Sequence, residues 1–167
     1  IEDGRPVYIY DGGNGLFAAR AWWILRWAGV TDVHILDGGF ATWDGGGFPT
    51  VAGPGGIVVP RDVKLPEGSL PSATMEDVRA FEGLLIDARG ARRFQGLREI
   101  LDLRAGHIPG ARNLPVNDLF DPETHKVKGT DEIRDRFSEL GVTQNTDPAS
   151  VITYSGSGNH SALLLAA

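Results

Sequence analysis

Residues 151–167 read VITYSGSGNHSALLLAA, and the chemistry of the chain gathers there. An apolar β-type run ends at Tyr154, breaks into Ser155-Gly156-Ser157-Gly158 and resumes as helix-forming residues. A strand, a tight glycine-rich loop and a helix start in that order collect anions. Successive backbone N–H groups point inward, and the helix adds about half a unit of positive charge at its first turn. Loops of this shape hold a reactive side chain at their first position, here Ser155. A serine hydroxyl stays un-ionised at neutral pH without a dedicated base. His160 is the base the spacing offers, over the first helical turn. The G-x-S-x-G elbow is not met, because Ser155 and Asn159 flank Ser157 two residues either side. Ser157 has two readings: a hydroxyl that polarises a substrate carbonyl or relays a proton, or a turn and N-cap residue. Gly156 and Gly158 serve the backbone, through positive φ or close ligand approach.

Other side chains carry weaker signals. Arg89, Arg92, Arg93, Arg98, Arg104 and Arg112 crowd one segment and are expected to form a local cationic pocket. Asp87 and Arg89, at a strand end, read as an internal ion pair or loop brace. His107 reads as a turn-stabilising hydrogen bond, and His125, in DPETHKVKG, as an exposed loop residue. Asp11 follows a strand into a glycine turn and reads as an Asx-type structural residue. Trp22, Trp23 and Trp27 recur at helical spacing and are expected to pack a core or a domain interface.

Composition limits the classes. The chain has 167 residues and a formal net charge of −6, which argues against a general nucleic-acid or anionic-membrane binder. No apolar run approaches the roughly 20 residues of a membrane span, and no signal-peptide pattern opens the sequence. Cysteine is absent, which removes disulfides, thiolate metal sites and thiol catalysis from the chain as written. No metal site or cofactor is expected, and the lack of disulfides fits a cytoplasmic location.

The elements that would position these residues form a repeat. Laid without gaps under 151–163, residues 7–19 (VYIYDGGNGLFAA) pair Val7 with Val151, Tyr10 with Tyr154, Asp11 with Ser155, Gly12 with Gly156 and Ala18 with Ala162. Both copies run strand, glycine loop, helix. The segments VHILDGG and FATW, after the first copy, have no counterpart after the second. LLIDAR and AGHIPGARNLP, before the second copy, have none before the first. The expectation is therefore the back half of one domain at 1–44, a Pro/Gly-rich linker at 45–71, and the front of a second domain at 72–167, both incomplete in this chain. Within 72–167 the pattern predicts a helix over 75–82 after a Ser72/Thr74 cap, a strand over 84–87, a short helix through Arg93, and a helix over 130–140 capped by Thr130 and closed by Gly141. Strands alternating with helices predict an α/β fold with a parallel sheet, with ligands at the carboxyl ends of the strands.

These segments resemble the rhodanese (sulfurtransferase) family, specifically its tandem two-domain members. LIDAR followed by RRFQG, then AGHIPGARNLP, then TYSGSGNHSA resembles the second, catalytic domain in order and spacing. VYIYDGGNGLFAARAWWILRWAGVTDVHILDGGFATW resembles the closing half of the first, non-catalytic domain. The resemblance implies a rhodanese-like parallel sheet flanked by helices. It also implies an active loop whose first residue is a cysteine carrying a persulfide, the place held here by Ser155. Gly156, Ser157 and Gly158 match the mercaptopyruvate-type loop, while Ser155, Asn159 and His160 depart from it. Implied roles are catalysis at positions 155 and 157 and substrate binding by Gly156, Gly158, Asn159, His160, Arg93 and Arg104. Arg104 matches its family position poorly, and Arg98 competes with it. The implied partners are a small anionic sulfur donor and a thiol or cyanide acceptor. With serine at 155 the chain is expected to be inactive; the alternative is a rhodanese-like pseudo-enzyme that binds an anion or partner protein without turnover.

Overall fold

The structure is a computed structural model that describes residues 5–56, 64–100 and 102–167. It falls into two compact units, Ile1–Pro71 and Ser72–Ala167.

In the first unit the apolar run VYI makes β1 (Val7–Ile9), and a glycine loop leads into α1 (Leu16–Trp27). Gly29, at φ 82°, ends the helix in the left-handed conformation that glycine adopts without a Cβ penalty. The chain returns as β2 (Val33–Ile35) and α2 (Gly39–Gly45). β1 and β2 pair in parallel with Val7 opposite Val33 and Ile9 opposite Ile35, so α1 is the crossover that a parallel pair requires. Ala18 and Ala19, both buried, let α1 lie close to the sheet beside buried Val33. The three tryptophans expected to pack a core or a domain interface are partly buried. Trp23 stacks on Trp27 at 6.4 Å between centroids, and Arg20 lies over Trp23.

The second unit opens with α3 (Met75–Ala80). Thr74 and Asp77 form a reciprocal capping box, with the Asp77 N–H on Thr74 Oγ1 and the Thr74 N–H on Asp77 Oδ2 at 2.7 Å. The helix stops two residues short of its predicted end because Phe81 is already extended (φ −80°, ψ 122°). β3 (Leu84–Asp87) is the central strand and is buried from Leu85 onward, which matches its near-continuous apolar sequence. α4 (Ala91–Phe94), β4 (Arg112–Asn113) and a 3-10 turn at Val116–Leu119 come next. α5 is Thr130–Ser138. Here the predicted cap is corrected: Gly129 is the N-cap with no side-chain bond, and Thr130 is the first helical residue. Gly141, at φ 84°, closes the turn after the helix with its N–H on the Ser138 carbonyl. β5 (Val151–Tyr154) and α6 (Asn159–Ala166) complete the unit. The sheet order is β4-β3-β5, all parallel, with Leu84 opposite Val151 and Asp87 opposite Tyr154. Asp87 and Tyr154 therefore end side by side at the carboxyl edge, and the 155–158 loop starts there. Among the described residues no helix is long and apolar enough to cross a membrane.

Candidate active site

The loop after β5 is anchored at its root, where the Tyr154 carbonyl accepts the Ala88 N–H at 2.9 Å. Its first side chain turns inward. Ser155 Oγ accepts the N–H of Gly158 at 3.1 Å and of Ser161 at 3.3 Å, the latter from the first turn of α6. Gly158 makes this possible by taking φ 82° immediately before the helix, where a side chain would be strained. Ser161 Oγ lies 3.3 Å from Ser155 Oγ and gives its own proton to the Gly158 carbonyl. That leaves it to accept from Ser155, so the neighbour of Ser155 is another hydroxyl and not the imidazole of His160. No base activates Ser155 among the described residues. Ser157 Oγ accepts the Asn159 N–H at 3.4 Å, a long bond of the turn type.

The first unit repeats this architecture with a different side chain. Asp11 Oδ1 accepts the N–H groups of Gly13 (2.9 Å) and Gly15 (3.0 Å), and Oδ2 those of Phe17 (2.9 Å) and Ala18 (3.1 Å). Burial works against its charge, but the four backbone bonds outweigh it and hold the carboxyl below its ordinary range. The Asx role expected of Asp11 is present, extended from one turn to the whole loop. The loop thus already holds an anion, its own. The gapless register between the repeats is corrected past this point. The left-handed glycines that start the helices are Gly15 and Gly158, both near φ 82°. They pair with each other, and Ala18 therefore pairs with Ser161 instead of Ala162. The first loop is one residue longer, yet in both loops the first side chain takes the N–H of that glycine and of the third helical residue.

The arginines do not pool into a cationic pocket; carboxylates neutralise the two that lie deepest. Arg89 grips Asp87 through Nε and Nη2, at 2.6 Å for the shortest contact, and Nη2 also donates to the Gly106 carbonyl. This is the expected internal pair. Asn113 clasps the same corner by donating to the carbonyls of Asp87 and Arg89, each at 2.8 Å. Burial would raise the Asp87 carboxyl, but the bonds from Arg89 dominate and lower it. Tyr154, whose oxygen accepts the Ile108 N–H, is pushed up to about 12, first by burial and also by the Asp87 carboxylate beside it. Arg93 donates to Glu99 and to Asp102, each at 2.9 Å. A Cβ on Gly156 would stand 3.6 Å from Arg93 Nη1, so this guanidinium reaches the loop. The φ of Gly156 is not positive, and a Cβ there would make only ordinary van der Waals contact with Arg93, so the positive φ expected of Gly156 is absent. Arg104 is exposed, and no contact links it or Arg98 to the loop among the described residues. Arg112 donates to the Leu140 carbonyl.

The histidines separate clearly. Burial, followed by the positive charge of Arg93, pushes the His160 imidazole below its ordinary range. His107 stacks on Phe94 at 3.7 Å and pairs Nδ1 with the Phe94 carbonyl at 2.7 Å, a structural role across the turn. His125 is exposed, as expected.

Sequence reasoning missed Ser161, Glu99, Asp102 and Asn113. Ser161 had a signal, a hydroxyl in the first turn of a helix that follows a glycine loop. Glu99 and Asp102 had a fainter one, as acids within an arginine-rich segment. Asn113 had none, since its two carbonyl partners lie 24 and 26 residues away.

A model of the rhodanese-like domain matches residues 2–45 and 72–167. The chain is 38% identical over 163 residues to a probable 3-mercaptopyruvate sulfurtransferase of Pseudomonas aeruginosa, covering 95% of this chain and 56% of that protein. It is 35% identical over 172 residues to a putative thiosulfate sulfurtransferase of Mycobacterium tuberculosis, covering 100% and 59%. The crystal structure of the 3-mercaptopyruvate sulfurtransferase of Escherichia coli superposes with a TM-score of 0.80 at 34% identity, over 97% of this chain and 60% of that one. The chain thus spans less than two thirds of the length of these relatives. With its parallel sheets flanked by helices, its glycine loops at the carboxyl ends of β1 and β5, and a family match over both units, the chain belongs to the rhodanese-like domain family.

Proposed function

We propose that this chain is part of a sulfurtransferase that moves a sulfane sulfur from 3-mercaptopyruvate or thiosulfate to a thiophilic acceptor, cyanide or a thiol. In this reading 72–167 is the catalytic unit, 1–44 an inert copy and 45–71 the linker. Position 155 is the sulfur carrier and requires a cysteine. A thiolate there takes the sulfane sulfur from the donor, releasing sulfite from thiosulfate or pyruvate from mercaptopyruvate, and then yields it to the acceptor. Gly156, Gly158, Asn159 and His160 frame the anion with their backbone, Ser157 lines the mouth of the loop, and Arg93 meets the donor's acidic group. Arg93 is favoured over Arg104 because it lies at Gly156.

The observation that supports this reading best is the placement of the Ser155 oxygen among inward N–H groups. A thiol at that point would ionise well below its usual range of about 8.5. The hydroxyl does not ionise, and oxygen carries no transferable persulfide, so the serine form binds an anion without turnover. Ser155→Cys tests the proposal. The variant is expected to gain the mass of one sulfur atom on incubation with thiosulfate or mercaptopyruvate, and to release thiocyanate when cyanide is added. A folded Cys variant that does neither sinks the enzyme reading and leaves the pseudo-enzyme one.

A further inference from the structure

Arg93 is held in two different ways. Glu99 takes one side of the guanidinium: Nε donates to Oε2 at 3.1 Å and Nη2 to both carboxylate oxygens at 2.9 Å. Glu99 is itself fixed. Its side chain is 5% exposed, Oε1 accepts the N–H groups of Ile100 and Asp102, and Arg89 lies 3.8 Å away. The other edge, Nη1 and Nη2, faces the loop, at 3.6 and 3.7 Å from a Cβ placed on Gly156. Among the described residues, only Asp102 answers that edge. It accepts from Nη2 at 2.9 Å and stands 4.0 Å from the same point over Gly156, with its side chain 53% exposed.

One carboxylate therefore positions the arginine, and the other occupies the edge that an incoming anion would use. We infer that Asp102 is an exchangeable counter-ion on Arg93, which the donor displaces and which thereby sets the specificity of the loop. A planar carboxylate or a thiosulfate can replace its single hydrogen bond with a two-point contact to Nη1 and Nη2 and release Asp102 to water. A neutral ligand cannot, and it would meet an occupied edge. This inference rests on the reading of Arg93 as the clamp for the donor's acidic group.

Because Ser155 blocks turnover, anion binding to this chain can be measured at equilibrium. The probes are pyruvate and thiosulfate, titrated calorimetrically into the unchanged chain and into Asp102→Asn, Asp102→Ser and Arg93→Ala. Removing an exposed competing charge is expected to tighten both anions about fivefold in either Asp102 variant. The gain should vanish when Arg93→Ala is added. Binding that needs Arg93 but is unchanged or weaker without the Asp102 charge overturns this inference alone. No anion binding in any form, or binding indifferent to Arg93→Ala, overturns the clamp reading and this inference with it.

Discussion

Asp11 and Ser155 occupy the same place in two copies of one cradle and differ in what they ask of it. The Asp11 carboxylate takes four backbone N–H groups and needs no ligand; the Ser155 hydroxyl takes two. Replacing Asp11 by Ala leaves those donors to water and removes a cap from α1, so the variant should be less stable by about 1–2 kcal/mol in denaturant melts. The carboxyl is lowered from its ordinary 3.8 in the folded protein. Its contribution is therefore complete above that value and is lost as pH falls through the lower folded value. The stability difference between the unchanged chain and Asp11→Asn should shrink on acidification in that range. A difference that is constant with pH would mean that the charge contributes nothing.

The corner where β3, β4 and β5 end is joined more by side chains than by strand length. β4 is two residues long, so its alignment depends on Asn113, which ties the carbonyls of Asp87 and Arg89 to it. Asn113→Ala leaves two partly buried carbonyls short of a donor and is expected to cost about 1–3 kcal/mol. The Leu114 N–H, bonded to the Asp87 carbonyl at 3.1 Å, should then exchange with solvent faster by native-state hydrogen exchange. Unchanged protection at Leu114 would show that β4 holds its register without this side chain. The elements whose sequences were long or strongly patterned were legible: β3 and β5 came out at their predicted bounds. The end of α3 fell short because Phe81 sets an extended backbone there, and α5 kept its first residue but took its cap from Gly129 and ended at Ser138, choices that helix propensity alone does not report.

At the scale of the molecule each unit has its own sheet and buried residues, and all four tryptophans lie in the first. We propose that the two units melt separately. Ile86 sits at the centre of the second sheet with no exposed surface, and truncating such a residue costs about 2–5 kcal/mol. Ile86→Ala should therefore lower the transition seen by far-UV circular dichroism, while the tryptophan fluorescence transition stays where it was. A shift of both together by the same amount would make the chain one cooperative unit.

The local chemistry of the candidate site could be read from the chain itself. An apolar run, glycines and a helix-forming run specify strand, loop and helix start, since hydrophobic period and glycine's backbone freedom act between near neighbours. The absence of cysteine at position 155, and its consequence for thiol chemistry, also needed no coordinates. The tertiary structure decided which groups meet. It set Ser161 in place of His160 against Ser155, and it gave Arg93 two carboxylate partners, Glu99 and Asp102. It also shifted the register of the repeat by one residue at Gly15 and Gly158. Those outcomes depend on where strand ends and loops converge, and on the cost of leaving a partly buried charge without a partner, neither of which is encoded within a single short window.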